Sequence, residues 1–341
     1  MIAADWYAFR PGVDVRVRGA AAVRRHFFAE YGDGATGDGA SAPAVDVNFG
    51  RSGAHSGALI EGGHKSVRWR VSVCDPERSP LAVQIELGGA PRSFALSLVQ
   101  GYFVESLLAV AAARKGYVLL PAAAIAQSSD ALVMLGASGT GKSSLSVRAL
   151  AGGSGLLGDD QILIDRDANC FRFHRRMRFY PDLRLTAPAA WARLPRGARI
   201  GLQARRVARV LSGGLVAPSL PLRAAAIGDP GTAGPLPARR FVLIERAARI
   251  RELAREPVAP PDAVAYALEL LAAQRERFAA GLDDDWRLAL AALVPVEEAI
   301  LVSAFARAPL ERLSVPRAWA APRAIGALAA ELGTEHPPPR R

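Results

Sequence analysis

Gly136-Ala137-Ser138-Gly139-Thr140-Gly141-Lys142-Ser143 combines three glycines, a lysine and a hydroxyl at the spacing of a loop that cradles phosphate. Glycines let successive backbone N–H groups turn inward around an anion, and the start of the following helix adds its partial positive charge. Lys142 is placed to reach the outer phosphates and Ser143 to offer a hydroxyl to Mg2+, with Ser144 next to it. The apolar run 131–135 ahead of the loop and a helix-forming run behind it supply the strand-to-helix setting this chemistry requires. A chance Gly/Ser-rich turn is the plain alternative. Against it, the chain has only three lysines, Lys65, Lys115 and Lys142, beside 40 arginines, and one of the three stands at the key position.

Seventeen residues after Lys142 come Gly158-Asp159-Asp160. Carboxylates at a strand end facing a phosphate loop bind Mg2+ or take the proton of an attacking hydroxyl. A turn or a solvated strand edge would use the same residues. Neighbours on a regular strand face opposite ways, so both aspartates serve one site only where the backbone twists, which Gly158 permits.

With these two motifs the chain resembles the HPr kinase family, whose catalytic domain is similar to phosphoenolpyruvate carboxykinases. The resemblance covers roughly residues 93–310 and rests on GASGTGKSS, on LLGDDQILID at the matching separation, and on the helix and strand before the loop. It implies an α/β fold: a P-loop kinase core of the HPr kinase and PEP carboxykinase-like type, with an N-terminal β-rich region and a helical C-terminal part. It also implies that the loop residues 136–144 bind ATP or GTP, that Asp159 and Lys142 are catalytic, with Asp159 as base, and that Ser143 and Asp160 hold Mg2+. The acceptor implied is a hydroxyl, usually a serine of a protein or peptide, and the family makes a homo-oligomer reasonable. Two departures matter. The family commonly has a histidine 21 residues before the loop lysine, where this chain has Pro121, which cannot exchange a proton. The glycine-rich signature that accompanies recognition of HPr itself is missing, which argues against HPr as acceptor.

These residues need positioning elements. Strands are expected at Val67–Val73 and at 81–87, a helix over 97–113, a strand pair at 117–126 and 131–135, the loop helix at 142–151, and a second strand pair at 156–164 and 170–174. Residues 32–44, with four glycines, read as a flexible loop. Residues 216–238 read as an irregular connection, followed by a strand at 241–245 and amphipathic helices at 262–280 and 284–294. The division expected is 1–92 as an N-terminal β-rich region, 93–330 as the catalytic domain, and 331–341 as a frayed tail. Residues 172–180, Arg172-Phe173-His174-Arg175-Arg176-Met177-Arg178-Phe179-Tyr180, form a local basic cluster, readable either as a clamp on phosphate or an acidic acceptor or as a solvated strand edge. Leu211-Ser212-Gly213-Gly214 imitates the ABC transporter signature, but the Val216-Ala217-Pro218 that follows opens no helix, so it reads as a turn.

Composition bounds the rest. The chain of 341 residues is half apolar and 22% charged, which excludes disordered and collagen-like classes. Two cysteines, Cys74 and Cys170, exclude a disulfide framework and a zinc site built on Cys pairs. The apolar stretch 103–126 is interrupted by Glu105, Arg114 and Lys115, and the N-terminus lacks a signal-peptide pattern, so a cytoplasmic protein without a membrane partner is expected. The net charge of +11 invites a nucleic-acid reading, but 67 alanines accompany the arginines, which suggests a bias of composition. Two alternatives to a protein kinase stand: a nucleotide-binding regulatory or scaffold module that phosphorylates nothing, favoured by Pro121, and a kinase acting on a small-molecule hydroxyl.

Overall fold

The computed structural model describes residues 4–9, 11–36, 42–50, 57–214, 216–231 and 234–334. It is a mixed α/β protein. Packing divides it into two interleaved units: 1–120 with 163–166 and 264–304, and 121–162 with 167–263 and 305–341. These groupings do not follow a sequential cut at residue 92.

In the first unit a seven-stranded sheet runs in the order Ala35–Thr36, Ala4–Tyr7, Val15–Arg18, Val45–Phe49, Leu81–Gly88, Val67–Val73, Leu59–His64. The expected β-rich character is present, and so is a helix the alternation conceals, Ala21–Tyr31, which crosses between the parallel strands Val15–Arg18 and Val45–Phe49. Tyr7, Phe9, Phe27, Tyr31 and Phe49 fill the space beneath it. Part of the glycine-rich loop is ordered as the turn Gly32–Gly34 and the strand Ala35–Thr36; residues 37–41 lie outside the described residues.

The helix expected at 97–113 starts earlier and runs Arg92–Arg114, widened to a π-turn at Gln100–Val104. There Gln100 meets His26 Nε2 at 2.8 Å and donates to Glu105 at 2.9 Å, while Tyr31 donates to the same carboxylate. This helix and Asp284–Phe305 are long and apolar enough to cross a membrane; 72% of the first one's apolar window is buried within the protein, which fits a core helix. Asp284–Phe305 continues past Pro295 and the expected end at 294. It is tied to the helix Pro260–Ala279 by a buried two-pronged pair, Arg275 with Glu297, and the Trp286 indole donates to the carbonyl of Cys74 at 2.7 Å.

The second unit holds a sheet in the order Gly155–Gly158, Ala122–Gln127, Asp130–Leu135, Leu236–Ala247, Leu310–Pro316, Ala254–Pro257, with the three strands Asp130–Leu135, Leu236–Ala247 and Leu310–Pro316 parallel. Asn169–Phe171 pairs with the start of Leu236–Ala247. Several expected strands are cut or shortened. The run 117–126 breaks at Pro121, which has no N–H for a ladder, into Tyr117–Leu120 and Ala122–Gln127. The run 156–164 breaks at the aspartate pair into Gly155–Gly158 and Ile162–Asp165, and 170–174 shrinks to Asn169–Phe171. The connection 216–238 contains a strand, Leu220–Leu222, paired with Met177–Phe179, and the main strand already begins at Leu236. Leu211 ends the helix Arg196–Leu211, and Gly213 and Gly214 turn the chain with positive φ. At the C-terminal end the helix Ala321–Glu331 is followed by buried Leu332 and Thr334, so the frayed tail does not begin at 331; residues 335–341 lie outside the described residues.

Candidate functional site

Ala131, Leu132, Val133, Met134 and Leu135 are all buried, because the strand is paired on both edges and covered on both faces. It ends at Gly136, where a Cβ would lie 2.6 Å from the carbonyl oxygen of Ile244 on the neighbouring parallel strand. Only glycine fits that approach. Ala137, Ser138 and Gly139 form the exposed rim of the loop, and Thr140 is buried, its hydroxyl donating to the Ala137 carbonyl at 3.0 Å. Gly141 turns the chain into the helix with φ +111°, and a Cβ there would strike Ile325 Cδ1 at 2.3 Å. The helix Lys142–Gly152 follows, close to the expected 142–151, held by Leu145 and Ala149 against Met134, Ile244 and Ile325.

Lys142 Nζ folds over the mouth of the loop and donates to the carbonyls of Gly136 and Ala137. Burial pushes its pKa down, and the carboxylates of Asp160 and Asp159 oppose that shift. The two expected motifs therefore meet: the aspartates lie within electrostatic reach of the loop lysine. They do so from a bend after Gly155–Gly158, whose pairing with Ala122–Gln127 shifts register between Leu156 and Gly158. A Cβ on Gly158 would fall 2.0 Å from the Gln161 carbonyl, so this bend too depends on glycine.

Asp159 is 8% exposed and Asp160 half-buried. Burial, then the Asp160 carboxylate, push Asp159 up to about 8; Ser143, Lys142 and Ser146 pull it the other way. Although Ser143 and Ser146 are close enough to favour the ionised form, neither Asp159 oxygen receives a hydrogen bond within 3.5 Å, and the Ser146 hydroxyl is likewise buried without a partner. A buried carboxylate with two unsatisfied oxygens is costly for the fold, and such groups cluster at functional sites. Ser144 sits half-buried in the first helical turn.

Tyr180 joins the site. Its hydroxyl pKa is raised by burial and then by Asp160, with a smaller push from Asp159, while Arg178 and a hydrogen bond from Ser219 act against this. The strand Met177–Phe179 thus delivers the end of the basic cluster, Arg178 and Tyr180, to the aspartates. Arg172, by contrast, donates to the Gly231 carbonyl at 3.1 Å. Position 121 remains a proline at a strand break and offers no titratable group. The sequence pattern gave no hint of Ser146, Ser219 or Ile325; Tyr180 stood in a segment singled out for its arginines alone.

The donor set of Ser143, Asp159 and Asp160 is all oxygen, which suits a hard cation such as Mg2+. Among the described residues no group of three or more His, Cys, Asp and Glu could hold a metal by itself. No known family model matches the chain, and no curated protein matches it.

Proposed function

We propose that this protein is a Mg2+-dependent kinase of the HPr kinase-like, P-loop type, transferring the terminal phosphoryl group of ATP or GTP to a hydroxyl, with a serine of a protein or peptide as the acceptor class and the cytoplasm as its setting. The observation that carries this reading is the buried, unsatisfied Asp159 carboxylate beside Lys142 at the mouth of the glycine loop. Mere nucleotide binding needs no base. Backbone N–H groups of 137–143 would cradle the phosphates, and Lys142 would offset charge on the outer ones. Mg2+, when bound by Ser143 and Asp160, neutralises charge on the transferring phosphate. Asp159, whose affinity for protons is raised by burial, would take the acceptor hydroxyl's proton, and Tyr180 with Arg178 would border the acceptor's approach. Formation of the bond to the acceptor oxygen and cleavage of the bond to the departing nucleoside diphosphate balance the transfer.

The second reading, a nucleotide-binding module without phosphoryl transfer, is favoured by Pro121 alone. Labelled nucleotide added to protein and cell extract separates the two. A labelled acceptor that disappears with Asp159→Asn, alongside nucleotide binding retained by Asp159→Asn and lost by Lys142→Ala, is the expected result, with transfer reduced by about a thousandfold or more. Nucleotide binding without any labelled acceptor would move the protein to the second reading. Binding left intact by Lys142→Ala would remove both.

A further inference from the structure

The net charge of +11 is not spread evenly. From residue 183 to 228 the chain has eight arginines and not one Asp or Glu, so this segment supplies most of the surplus. It folds into the helices Leu183–Thr186, Pro188–Arg193 and Arg196–Leu211, which pack through Leu183, Ala187, Ala190, Leu194 and Leu202 onto Val147, Leu150 and Ala151 of the loop helix. Arg148 of that helix donates to the Thr186 carbonyl at 3.4 Å.

Arg196–Leu211 is amphipathic the wrong way round for a core element. Leu202 is its single fully buried residue, and the half-buried residues are Ala198, Gly201 and Ala208 together with the polar Arg199, Gln203 and Arg205. Outward it presents Ile200, Val207 and Leu211, exposed by 70, 57 and 83%, at the i, i+7, i+11 spacing of one helical stripe. Beside this stripe lies a groove of about 750 Å³ lined by Arg184, Trp191, Arg196, Arg199, Ile200 and Val207, with no acidic residue in its wall. Apolar floor and cationic rim together describe their complement.

We propose that this groove docks an acidic, amphipathic polypeptide segment, and, resting on the kinase reading above, that this segment belongs to the phosphoryl acceptor. Apolar side chains of the segment would sit on Trp191, Ile200 and Val207, and its carboxylates would meet Arg184, Arg196 and Arg199. A second copy of the chain is disfavoured because the same face would set arginine against arginine.

A fluorescein-labelled peptide of about 18 residues, with leucines at i, i+4, i+7 and i+11, flanking glutamates and a serine tail, is the probe. Titrated with the full chain and followed by anisotropy, it is expected to bind saturably and to weaken as salt is raised. Ile200→Asp and Arg199→Glu should each weaken binding by about tenfold or more while keeping the circular dichroism and nucleotide affinity of the parent. Lys142→Ala should bind the peptide like the parent, so failure of the nucleotide site and failure of the groove are read separately. Absence of binding, equal binding by both groove variants, binding of phosphatidylglycerol vesicles in place of the peptide, or a dimer dissolved by Ile200→Asp would each overturn the proposal.

Discussion

Asp159 shows how the burial of one carboxyl can weaken a fold. In the unfolded chain its carboxyl releases a proton near the ordinary 3.8, whereas in the folded protein it holds that proton until about pH 8. Between those values the folded state binds more protons, so its stability is fully present below about pH 4 and is lost as pH rises through about 8. Asp159→Asn keeps the shape and removes the ionisation. The metal-free protein is therefore expected to melt higher in the variant by roughly 5 °C near pH 8, with the gain shrinking to nothing near pH 4. Scanning calorimetry in the presence of a chelator across that range checks this; a pH-independent difference would show that the carboxylate is not destabilised by burial. Asp159 and Lys142 were both legible in the sequence, since residue type and spacing disclose them. Tyr180 was not, because its role comes from a strand that brings it beside residues twenty positions earlier.

Among elements, the junction of loop and helix is tightly packed. Gly141 combines a left-handed φ with an Ile325 methyl standing where a Cβ would go. Gly141→Ala is expected to cost about 2 to 4 kcal/mol, from backbone strain and overpacking together. In Gly141→Ala/Ile325→Ala the overpacking part should be relieved, so the double variant falls short of the summed single costs by about 1 kcal/mol or more in urea unfolding. Strict additivity would mean the contact does not matter. The strand, loop and helix here follow their local pattern, and the sequence discloses them with near-correct bounds. Strand breaks at Pro121 and at Asp159-Asp160 were hidden because apolar residues continue on both sides of each. The helix Arg196–Leu211 was missed for the opposite reason: its apolar stripe faces outward among arginines and imitates a solvated segment. Leu310–Pro316 was hidden because its partners, Leu236–Ala247 and Ala254–Pro257, are remote in sequence.

At the scale of the molecule, the mixed α/β character was legible and the interleaving was not, since local periodicity carries no record of which distant helix covers which sheet. Residues 264–304 belong with the N-terminal unit. There Phe278 stacks edge-on against Phe103 and Trp286, and Gly281 lies so close to Ile60 that a Cβ would come within 2.4 Å of its Cγ2. A chain ending at residue 263 is thus expected to lose protection of amides in the strands 59–88 as well as its own missing helices, read by hydrogen exchange; unchanged protection there would show that the N-terminal sheet stands by itself. This arrangement also bears on synthesis. A ribosome making roughly 5 to 20 residues each second leaves the strands of 59–88 in the cell for on the order of ten seconds or more before Trp286 emerges to cap the Cys74 carbonyl. For that interval the nascent protein exposes the apolar bed of a helix not yet made, and a holding chaperone has a defined surface and a defined time in which to act.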